Sequence, residues 1–139
     1  RRHTRFRNVT GVQTCALPIL AQADNEDVVM QILNGEGGEN LHYHANMDSV
    51  FFVLKGRVRF YGRDDTVIGE YGPLEGLINP AGARYRFEKL GGEEALMLQV
   101  GIYPEGRKVA KRLNASPPSP DMKKLSIDAE TGERVWKSY

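Results

Sequence analysis

The tripeptide His42-Tyr43-His44 holds the residues best suited to chemistry. On a strand, side chains two apart leave the same face, so both imidazoles project together. Two neutral imidazoles aimed at one point begin a site for Zn, Fe, Mn, Ni or Cu. The same pair can instead hydrogen-bond an organic ligand, or one another, in a metal-free pocket. Gln99 lies in the last long apolar run, where it can point inward as a polar pocket group or pair at an interface. Phe51, Phe60 and Phe87 are expected in the core or in a pocket wall. Arg57, Arg59, Arg84 and Arg86 alternate along their runs and read as a solvated outer face. The sequence contains no nucleophile triad, phosphate-binding glycine loop or zinc-knuckle spacing.

Such a histidine pair needs a rigid frame, and the sequence supplies short strands. Residues 28–33 (VVMQIL), 49–55 (SVFFVLK), 57–61 (RVRFY) and 95–103 (ALMLQVGIY) are apolar or alternating, with glycine-rich turns such as 35–40 (GEGGEN) between runs. Many short strands at this rhythm, without a long helical period, predict an all-β sandwich or barrel. In residues 49–55, Val50, Phe52 and Leu54 occupy one face while Phe51 and Val53 occupy the other. Both faces need cover. One fills the barrel, and the other packs on a second sheet or on a partner subunit, so a homodimer is expected.

The chain has 139 residues. Residues 9–19 (VTGVQTCALPI) resemble, codon for codon, the translation of a sequencing adapter, and residues 1–5 (RRHTR) resemble another part of it. Residues 1–19 are therefore expected to be a non-native adapter translation. Setting aside Arg1, Arg2, Arg5 and Arg7 lowers the 19 basic residues to 15 against 18 acidic ones, a net of −3. That balance gives no reason to expect a nucleic-acid partner. Cys15, the one cysteine, falls in the same segment, so no disulfide framework is expected. No apolar run approaches the roughly 20 residues of a membrane helix, and a cytoplasmic location is the default expectation. Residues 115–120 (ASPPSP) break regular structure, and residues 115–139 are expected to form an irregular C-terminal tail.

Beyond His44, four residues lead to Ser49 and six more to Gly56; farther on, Pro80-Ala81-Gly82 is followed after two residues by Tyr85. This arrangement resembles the two motifs of the cupin superfamily. The resemblance implies a double-stranded β-helix, or jelly-roll barrel, over residues 20–114. It also implies a metal site of three histidines and a glutamate, onto which His42 and His44 map directly. Ser49 stands at the glutamate position with Asp48 beside it, Tyr85 at the third histidine, and Lys89 at the asparagine that ends the second motif. Asp48 is thus the expected acidic metal ligand, and Tyr85 the expected acid, hydrogen-bond donor or ligand to a ferric ion. Two functions follow as expectations. One is a small cupin that binds a small organic ligand in the barrel, with a divalent metal on His42 and His44. The other is a metal-dependent enzyme of the dioxygenase or isomerase type.

Overall fold

The computed structural model describes residues 15–16, 19–35, 38–117, 123–127 and 134–138, with burial and side-chain detail for 19–35 and 38–117. The strands are β1 (Cys15–Ala16), β2 (Ile19–Gln22), β3 (Glu26–Leu33), β4 (His42–His44), β5 (Asp48–Lys55), β6 (Arg57–Tyr61) and β7 (Val67–Tyr71). They continue with β8 (Gly76–Asn79), β9 (Arg86–Leu90), β10 (Ala95–Ile102), β11 (Arg112–Asn114), β12 (Lys123–Ile127) and β13 (Arg134–Ser138). A large sheet runs β1-β3-β10-β5-β8, with β2 also paired to β3, and faces a three-stranded sheet ordered β7-β6-β9. Two further pairs are β11–β4 and β12–β13. Among the described residues, all nine strand pairings are antiparallel. This is the all-β barrel that the strand rhythm predicts.

The period-two pattern explains why these segments pair as they do. Along β10, Ala95, Met97, Gln99 and Gly101 are buried, while the residues between them are half-buried or exposed. Phe51 and Val53 of β5 turn inward in register with Gln99 and Met97. A one-residue slip would put all of these on the wrong face, so burial fixes the register. The core is the layer between the sheets. Leu33, Phe51, Val53, Ala95 and Met97 meet Val58, Phe60, Phe87 and Tyr85. Two glycines allow this closeness. Gly56 turns β5 into β6 with φ +74°, where a Cβ would also sit 2.8 Å from the Glu94 carbonyl oxygen. At Gly76, a Cβ would overlap the Phe51 carbonyl oxygen, so only glycine lets β8 lie against β5 there.

At the chain start, β1 and β2 add to the β3 edge of the large sheet. The open N–H and C=O row of an edge strand favours such pairing. In the tail, β12 pairs with β13, Leu125 opposite Trp136 and Ser126 opposite Val135. Leu125, Ile127, Val135 and Trp136 of that tail thus lie on paired strands rather than in irregular chain. Among the described residues, no helix is long and apolar enough to cross a membrane.

Candidate ligand cavity

The two motif regions are joined through their main chains. His42 N donates to the Tyr85 carbonyl at 3.0 Å, and Tyr85 N donates to the His42 carbonyl at 2.9 Å. Gly82 N donates to the His44 carbonyl at 2.8 Å. Strand alternation then places His42 and His44 on one side, as the spacing predicts. Their ring centroids are 5.3 Å apart, and Tyr85 stands 4.4 Å from His42 and 6.3 Å from His44. All three line a cavity of about 320 Å³ inside the barrel. Gln99 lines it too, from β10. Its amide nitrogen donates to Ser49 Oγ at 3.4 Å, and its oxygen accepts from Gln31 Nε2 at 2.7 Å. The residue in the expected glutamate position thus anchors a buried amide chain.

Phe51, Phe60 and Phe87 are not among the lining residues. They stack one layer behind Tyr85, at centroid distances of 5.4, 6.3 and 6.4 Å, and fix its ring from the core side. Asp48 is also outside the lining. Its Oδ1 accepts a hydrogen bond from Ala81 N at 2.7 Å, capping the loop of the second motif. As the first residue of β5, it sits one position out of phase with inward-facing Ser49.

Several cavity residues carry no signature in the sequence. Glu39 lies in a glycine-rich turn, held by its N–H donating to the Phe87 carbonyl at 3.0 Å. Arg112 follows the barrel's last long strand, yet β11 pairs with β4 and sets Arg112 opposite His44. Its guanidinium donates to Asn40 Oδ1 at 2.8 Å and to Asn114 Oδ1, and lies 3.9 Å from Glu39 Oε2. Asp27 accepts a hydrogen bond from the Tyr103 hydroxyl at 2.9 Å; burial first, then that carboxylate, raises the phenol's pKa. Only tertiary pairing brings these side chains to the histidines.

Protonation follows from the partners. His42 Nδ1 lies 2.7 Å from the Asn40 carbonyl oxygen, which can only accept, so Nδ1 carries the proton. Nε2 then presents a lone pair toward Glu39 Oε2 at 3.3 Å. That contact is satisfied when Glu39 is protonated, and burial, opposed by Arg112, pushes the Glu39 carboxyl up to about 7. Burial, reinforced by Arg112, pushes His42 down to about 3 and His44 down to about 4. The wall near β4 therefore holds two neutral imidazoles and a carboxyl that is neutral on the acid side of pH 7.

A resident metal does not match this donor set. Among the described residues, no group of three or more His, Cys, Asp or Glu side chains is placed to hold one. The one lone pair of the His42 ring faces a carboxyl favoured in its protonated form, and the Arg112 guanidinium already places a positive charge beside that carboxyl. A divalent cation there would meet like charge.

Neither the protein-family models nor the curated proteins contain a match to this chain. Solved structures do resemble it. An uncharacterised protein with a double-stranded β-helix domain from Klebsiella pneumoniae superposes with a TM-score of 0.66 at 13% identity, covering 81% of this chain and 85% of that one. A cupin superfamily protein from Desulfitobacterium hafniense gives 0.57 at 19% identity, covering 68% and 84%. A DMSP lyase from Ruegeria pomeroyi gives 0.62 at 14% identity, covering 75% and 53%. The chain therefore has the double-stranded β-helix fold of cupin domains. At these identities the likeness defines the fold and leaves the chemistry to the site.

Proposed function

We propose that this protein binds a small organic ligand inside the barrel, held by hydrogen bonds rather than through a metal. The observation that carries the reading is the cavity itself. It is lined by His42, His44, Tyr85 and Gln99, and about 320 Å³ is within the range of small-molecule sites. Neutral His44 offers an acceptor nitrogen, while the Gln31–Gln99 amides and Arg112 supply donors around it. A ligand with several oxygen or nitrogen atoms matches that wall, and the aromatic layer behind Tyr85 keeps the wall in place. A panel of small organic acids, amides and sugars, screened by thermal shift, tests this. Compounds that raise the melting temperature of the parent are expected to lose most of that effect in His44→Ala and Gln99→Ala. A panel without a single stabilising member, or one whose effects survive both substitutions, would refute the reading.

A second reading, a metal-dependent enzyme of the dioxygenase or isomerase type, draws support from the two imidazoles on one side of β4. Metal analysis after supplying Fe, Mn, Zn, Ni or Cu separates the two. Stoichiometric metal that disappears in the His42→Ala/His44→Ala double variant would favour the enzyme, since an organic site has no need of it. Fold alone does not choose, because one barrel scaffold supports many chemistries.

A further inference from the structure

The outward face of the large sheet is apolar across four strands. Cross-strand partners align in rows there: Ile78, Val50, Val100 and Val28 in one, then Phe52, Leu98 and Met30, then Leu96 and Ile32; Met30 is buried, and Val28, Ile32, Val50, Leu96, Leu98 and Val100 are half-buried. Ile78 is 69% exposed, Leu54 42%, Ile102 41% and Phe52 37%. Charged residues on this face stand at the ends of the rows. Glu26 and Asp48 flank Ile102, and Lys55 lies opposite Leu96. Four strands spaced about 4.8 Å apart, over about 20 Å of strand, have a footprint of roughly 400 Å². That is the size of the largest apolar patch on a typical monomer, which is often a functional surface. It is also about half of the roughly 800 Å² that each partner buries in a standard interface, leaving the remainder for a polar rim.

We propose that this face is the contact surface of a homodimer, with two copies packing their large sheets together about a two-fold axis perpendicular to the strands. A second copy is the occupant the face is built for, because the surface is self-complementary under that axis. The acidic end of one copy then meets the Lys55 end of the other, whereas an axis along the strands would set acid on acid. Aligned sheets pack about 10 Å apart, so the aliphatic rows interdigitate and exclude water. The cavity opens on the inward side of the same strands, and the contact leaves it unobstructed.

Sedimentation velocity over a micromolar concentration series tests the proposal. The parent chain is expected to sediment at twice the monomer mass. Phe52→Asp and Ile78→Asp should each shift it to monomer with an unchanged circular dichroism spectrum, and Ile78 is exposed enough that its replacement leaves the monomer folded. Val67→Asp, on the opposite sheet, should remain dimeric. Lys55→Glu should weaken association at least tenfold. A parent that is monomeric throughout, or a dimer that persists in both Phe52→Asp and Ile78→Asp, would overturn the interface. Loss of the dimer in Val67→Asp alone would overturn it as well. A Lys55→Glu chain that associates as tightly as the parent would overturn the axis.

Discussion

Replacing Glu39 with Gln should stabilise the protein above neutral pH. In the folded state the carboxyl rises from 4.5 to about 7, chiefly because it is buried. Folding therefore favours the protonated form. The contribution of Glu39 to stability is full below pH 4.5 and is lost progressively up to about pH 7. At 1.36 kcal/mol per pH unit, the loss on the alkaline side is on the order of 3 kcal/mol, an upper bound because relaxation and water reduce it. Gln keeps the shape and a hydrogen-bond donor toward His42 Nε2 without the ionisable proton. Glu39→Gln is thus expected to gain between about 1 and 3 kcal/mol at pH 8 and to match the parent near pH 4.5. Urea unfolding followed by circular dichroism, from pH 4.5 to 8.5, measures both. A variant less stable than the parent at pH 8, or a difference independent of pH, would refute the protonated Glu39–His42 contact.

His42 and His44 act with the opposite sign. Their folded values lie below 6.5, so their contribution is present above that pH and lost as the pH falls toward about 3 and about 4. The two histidines outweigh the one opposing carboxyl, so parent stability should rise through pH 4.5–6.5 and level off above about pH 7; a profile that falls between pH 4.5 and 6.5 would contradict this balance. Phe60→Ala removes a buried ring packed 5.1 Å from Phe51 and 5.3 Å from Phe87. It should cost about 3–5 kcal/mol in urea unfolding, and a loss below 1 kcal/mol would mean that this layer is not the core. Gly76→Ala drives a methyl into the Phe51 carbonyl; aggregation or a lowered melting temperature is expected, and a parent-like melt would show that β8 can stand off from β5. Asp48→Ala should cost about 1 kcal/mol through the lost Ala81 cap and leave cavity ligands unaffected; loss of ligand binding in this variant would place Asp48 in the site after all.

Much of the fold was legible because β5 and β10 alternate so regularly that burial follows directly from the sequence. The meeting of His42, His44 and Tyr85 was legible for a related reason, since one spacing fixes a strand face and the other matches a known motif pair. Phe51, Phe60 and Phe87 show where such reading stops. Sequence assigns them inward but cannot say which aromatic touches the hollow and which lies one layer back. Glu39 and Arg112 were hidden more deeply. One sits among turn glycines, and the other follows the last barrel strand, so neither carries a periodic signal before β4, β9 and β11 come together. Asp48 was misleading in kind, because an acid beside the expected position satisfies the chemistry on paper while its phase turns it toward a backbone amide.

The paired main-chain bonds between His42 and Tyr85 have a consequence for how this pocket can change over generations. Peptide groups, not rings, hold the two positions face to face. Either ring can therefore be exchanged for another of similar bulk without moving the backbone mount that carries it. A lineage can revise what the hollow accepts by single replacements at these two points, while the surrounding β-framework registers almost none of it.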